Sequence, residues 1–147
     1  WCSYSTVIQS RSWLPDGIGG VCWYAVDNPA QSPRIPIFCG STKLPAAFEK
    51  CGQKEYYPNS VLWEFRRANK LATLSWQKTK KEFTDNVLEM EAMTFEGLPE
   101  LEAEYSKATP RKRARLLNAY TAEIHDKCAA RWKKLEAKYW LMFGRGF

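Results

Sequence analysis

The sequence predicts an α+β fold, two or three strands followed by about three helices, and three observations lead there. Residues 1–40 alternate runs of β-branched and aromatic residues with Pro- and Gly-rich turn signals. From residue 58 to 141, apolar residues recur at spacings of three and four, the period of a helix. The 147 residues suffice for one core. Residues 1–147 are therefore read as a single unit, 1–40 mainly strands and turns and 58–141 mainly helices.

STVIQSR at 5–11 is rich in β-branched residues and reads as the first strand. Pro15, Asp16 and Gly17 signal a turn, and Gly19 and Gly20 extend the connection. VCWYAVD at 21–27 reads as a second strand, paired antiparallel with the first. RIPIF at 34–38 is expected as a short edge segment, because Pro36 cannot donate to a ladder. Residues 40–57 read as loop. Pro58 sits where a first helical turn tolerates proline. Leu62, Phe65, Asn69, Ala72 and Trp76 then share one helix face, with Glu64, Arg66, Arg67 and Lys70 opposite. A second helix is expected from about 76 into the 90s, with Phe83, Val87 and Met90 inward and an interruption or kink at Gly97 and Pro99. LPELEAEYSKA continues as helix until Thr109 and Pro110, a cap and a first-turn proline for the last helix. Leu117, Tyr120, Ile124, Cys128, Leu135 and Tyr139 keep helical spacing there, and Gly144 and Gly146 end it. So few strands make a poor sheet on their own, which predicts that part of the sheet lies elsewhere. The chain starts at Trp1 rather than Met, and a processed product or a fragment is expected.

The net charge is +6, spread along the chain except for RKRAR at 111–115. No reading element for a nucleic acid accompanies that run, so it reads as a solvated basic helix start and no nucleic-acid partner is expected. No apolar stretch reaches membrane-spanning length. Five cysteines (2, 22, 39, 51 and 128) form no C-x-x-C pair, and His125 is the only histidine. Neither a metal centre nor any cofactor is expected. Thiol catalysis needs a base and oxyanion donors. Cys2 follows Trp1, so the terminal amine belongs to the wrong residue, and Cys22 reads as core. His125 reads as a structural or surface histidine. Asp16, Asp27 and Asn28 read as turn residues. Arg11 ends a strand, where it can reach a carboxylate in a cleft or lie on the surface.

The stretch VIQSRSWLPDGIGGVCWYAVDNPAQSPRIPIFCGSTKLPAAF, residues 7–48, resembles the C-terminal part of the dipeptidase A family of cysteine peptidases. The features that carry the resemblance are Gln9 and Arg11 at a strand end, Pro15 and Asp16, Gly20 with Trp23 and Tyr24, and then Ser32, Pro33, Pro36 and Ile37. SVLWEFRRANKLATLSWQKTK at 60–80 also looks like the family's helix. The resemblance implies an N-terminal-nucleophile hydrolase with four αββα layers, in which a leading cysteine cleaves dipeptides and its own α-amine is the base. That cysteine opens a Cys-Thr-Thr-like strand before an Asp-Gly turn, and WCSYST does not match it. The implied nucleophile therefore lies upstream or in a companion chain, and no catalytic residue is assigned here. Arg11 is the one residue expected to bind substrate. Homo-oligomer formation and compartment stay open. The competing reading is a non-enzymatic α+β interaction module with a basic helical face for an acidic partner.

Overall fold

The computed structural model describes residues 2–144. Three strands come first: β1 (Tyr4–Ser10), β2 (Gly20–Val26) and β3 (Ile35–Phe38), with the single-turn helix α1 (Asp16–Gly19) between β1 and β2. They form one antiparallel sheet in the order β1-β2-β3, as the strand patterns predict. The Pro-Asp-Gly signal becomes a helical turn because the Pro15 carbonyl accepts from both the Ile18 and Gly19 N–H groups. Ile18 is thereby driven into the core. β3 is an edge strand, and α4 lies along it: the Thr121 hydroxyl donates to the Pro36 carbonyl at 2.8 Å.

After a loop with one 3-10 turn at Ala46–Phe48 come α2 (Val61–Thr73), α3 (Trp76–Lys107) and α4 (Pro110–Phe143). α2 starts three residues beyond Pro58 because Ser60 caps it, its hydroxyl accepting from the Trp63 N–H. Pro58 stays in the loop and accepts from Arg67 instead. Trp76, expected on α2, opens α3.

The expected break at Gly97 and Pro99 does not end α3, which runs through both. Proline removes a helical donor and crowds the preceding turn. Here Tyr120 of α4 reaches that turn and donates to the Thr94 carbonyl at 2.5 Å. The approach depends on Gly97: a Cβ there would lie 2.7 Å from the Tyr120 hydroxyl oxygen. α4 begins at the predicted Thr109–Pro110 junction, and Gly144 follows its last residue. Gly146 lies outside the described residues.

Two clusters make the core. Val21, Trp23 and Phe38 of the sheet pack with Ile18 against Leu98, Leu101 and Tyr105 of α3 and Leu117 of α4. Phe65 of α2, Phe83 of α3, and Trp132 and Tyr139 of α4 anchor the larger one, where the three long helices meet. No helix among the described residues is long and apolar enough to cross a membrane.

Candidate functional site

At the C-terminal end of β2 the chain turns sharply through Asp27, which has φ of +62° and is only 4 % exposed. A buried non-glycine residue in this region is strained unless its surroundings hold it there. They do. Asp27 Oδ1 accepts from Arg66 Nε at 2.7 Å and Oδ2 from Asn69 Nδ2 at 3.1 Å. Asn69 also donates to the Ser32 hydroxyl, accepts from Trp132 Nε1 at 2.9 Å, and offers its carbonyl to Gln31. Asn28 in turn donates to Gln31 at 2.6 Å. The result is a connected polar network tying the β2–β3 loop to α2 and α4.

The network forms the floor of an open cleft of about 850 Å³, whose walls include Cys2, Gln53 and Lys70. Arg66, Asn69, Lys70 and Thr73 recur on α2 at i, i+3, i+4 and i+7, so one polar stripe lines it. The Arg66 guanidinium lies over the Trp63 ring, 5.6 Å from its centroid, which fixes the side chain on both faces.

Arg11 sits at the opposite end of the sheet and does not enter this cleft. It ion-pairs with Glu102 and donates to the Ile18 carbonyl at 2.6 Å. It is 7 % exposed, and its Nε is buried without a partner. Asp16 is exposed in the first turn of α1. Within 111–115, Arg113 donates to the Tyr105 carbonyl and covers its ring, so it caps the end of α3, while Arg111, Lys112 and Arg115 are exposed.

All five cysteines are free thiols. Cys2 edges the cleft, and Cys128 is buried in the helical core with its pKa pushed up to about 12 by desolvation. Burial, then the neighbouring Cys39, raises that of Cys22. None of these thiols has a histidine partner, because His125 is committed elsewhere. Its Nε2 meets Glu64 at 2.8 Å and its Nδ1 meets Asp126 at 3.0 Å. No group of residues that could hold a metal ion occurs among the described residues.

His125 is thus a structural group that titrates. Burial lowers its pKa, and the two carboxylates outweigh burial and leave it raised. A raised folded-state pKa contributes stability below the unfolded value of about 6.5, and that contribution is lost as pH rises through the folded value. Thermal unfolding followed from about pH 5 to about pH 9 should show this decline, and His125→Gln should flatten it. An unchanged pH dependence in the variant would remove His125 as its source.

Asn69 is the member of the network that carried a usable signal in the sequence. A polar side chain on an otherwise apolar helix face must be hydrogen-bonded when buried. Ser32, Gln31 and Trp132 carried none, since their meeting depends on the tertiary fold. Glu64, Arg66 and Arg67, expected opposite the apolar face, pair with His125, Asp27 and Glu136.

The three-stranded antiparallel sheet followed by long helices defines the class as α+β. The family model of peptidase family C69 matches residues 2–89, which is 88 of the 147 residues. The chain therefore belongs to peptidase family C69. The matched part covers the sheet, α2 and the first half of α3. No curated protein matches the chain.

Proposed function

We propose that the chain is the C-terminal portion of a dipeptidase of the N-terminal-nucleophile type, whose cysteine nucleophile lies in an upstream part of the same protein or in a companion chain. One observation carries the reading: the sheet is uncovered where a partner would join it. Ile8, Cys22 and Ile37 are in register across all three strands, on the face turned away from Trp23. Ile8 is 73 % exposed, and Cys22 and Ile37 are half-buried. β1 is an edge strand with no proline and no charged residue along its seven positions. Edges that stay free are normally blunted by charge, proline or a bulge. A second sheet laid on this face, in an αββα arrangement, buries that row, and an upstream strand added to the same sheet pairs with β1.

Substrate binding by Arg11 belongs to the same proposal. Its orphaned Nε supports the arrival of a further acceptor at that corner, from the substrate or from the partner sheet. The chemistry is the formation of an acyl-enzyme at the upstream thiol, followed by hydrolysis.

The test uses the protein together with its upstream part. Changing the leading cysteine to alanine is expected to abolish dipeptide hydrolysis, a loss of at least about a thousandfold for a covalent nucleophile. The 147-residue chain alone should show no turnover. Hydrolysis that survives the alanine change would sink the mechanism.

A further inference from the structure

α3 and α4 run past the sheet. Sheet residues meet them at Glu91, Phe95 and Thr121, through Arg34, Trp23 and Pro36. The start of α3 and the end of α4 lie side by side, joined by the stacked rings of Phe83 and Tyr139 and the Lys138–Glu82 ion pair. At 1.5 Å per residue, Trp76 stands about 22 Å along α3 from Glu91, and Trp140 about 28 Å along α4 from Thr121. The surface at this tip is distinct from the row Ile8, Cys22 and Ile37 on the sheet.

That surface is apolar at its end and basic around it. Leu74 is 66 % exposed, Trp140 59 %, and Leu141 and Met142 are also exposed. Segments 74–89 and 131–144 hold seven basic and four acidic residues, so they contribute net +3 to a chain whose total is +6, with Arg131 paired to Glu89. Lys81 and Lys138 are paired with Asp85 and Glu82. Lys78, Lys80, Lys133 and Lys134 are exposed, and none forms an ion pair among the described residues. The charge is invisible as a run because it comes from two segments brought together only by the helical hairpin.

We infer that this tip is a docking surface for an anionic phospholipid bilayer. Charge decides among the occupants. A second copy set tip to tip would place like charge against like charge. An anionic headgroup layer complements the lysines, whose aliphatic stems can lie along the apolar patch while their ammonium groups stay at the headgroups. Tryptophan and leucine at a convex end insert at the acyl boundary, and tryptophan is favoured at that depth. The surface lies on the bilayer and does not span it.

The experiment is co-sedimentation of the protein, this chain together with its upstream part, with vesicles of phosphatidylcholine alone and of phosphatidylcholine mixed with phosphatidylserine. The chain should pellet with the mixed vesicles and not with the neutral ones, and added salt should release it. Trp140→Ser with Leu141→Ser should weaken binding at least about tenfold, since the anchoring apolar area is lost. Both side chains face solvent, so the unfolding temperature should not move. Lys133→Glu with Lys134→Glu should weaken it as well. Absence of pelleting overturns the inference, and so does pelleting that survives the Trp140 and Leu141 changes. An oligomer that those changes convert to a monomer, with no vesicle binding, assigns the tip to a second copy. Binding to polyglutamate but to neither vesicle assigns it to an acidic polypeptide.

Discussion

Replacing Asp27 by glycine should destabilise the fold by about 2–3 kcal/mol, although glycine is the residue its backbone prefers. Two effects compete. At φ of +62° an aspartate carries strain of about 1–2 kcal/mol that glycine relieves. The same change removes the acceptor for Arg66 Nε and Asn69 Nδ2. Breaking a buried charge pair by deleting one partner costs about 3–5 kcal/mol, and the pairing term therefore wins. Asp27→Asn tolerates the left-handed conformation and keeps one acceptor oxygen, so it should fall between, at about 1–2 kcal/mol. Denaturant unfolding should rank the three as Asp above Asn above Gly. A glycine variant as stable as the parent would mean that the turn, not the network, dictates this residue.

The competition explains how this site hid in the sequence. Asp27 and Asn28 have the composition of a turn, and a turn is where they lie. The sequence does not show that α2 and α4 fold back onto that turn, because Asn69 and Trp132 are 63 positions apart. Where local chemistry decides, the reading held: the antiparallel pairing of β1 with β2, the edge position of β3 and the Thr109–Pro110 start of α4 all follow from residues within a few positions of one another. Where a distant side chain decides, it failed. Gly97 and Pro99 look like a break, yet α3 runs through both, with Tyr120 of α4 packed against Gly97. The partners of α2's charged residues, Glu136, His125 and Asp27, come from other elements.

Trp132 joins the core to the cleft, and its replacement should have the largest effect on stability. The side chain is fully buried, with the rings of Phe65 at 5.4 Å and Phe83 at 6.0 Å. α2, α3 and α4 therefore meet on it. Trp132→Ala removes that contact and leaves a cavity where three helices cannot all close in, which costs about 3–5 kcal/mol. Trp132→Phe keeps most of the ring packing and deletes only the donor to Asn69 Oδ1. A buried acceptor left unpaired costs about 1–3 kcal/mol, so the phenylalanine variant should lie well above the alanine one. The two variants separate packing from hydrogen bonding: equal losses would assign the role of Trp132 to the donor, and a phenylalanine variant as stable as the parent would show that Asn69 does not need it. Because Asn69 also holds Asp27, Trp132→Phe should couple with Asp27→Asn. Residues in one hydrogen-bonded network deviate from additivity by about 0.5–3 kcal/mol, and the double variant is expected to lose less than the sum of the two. Strict additivity would mean that the cleft floor and the helical core are held independently, in spite of the side chain they share.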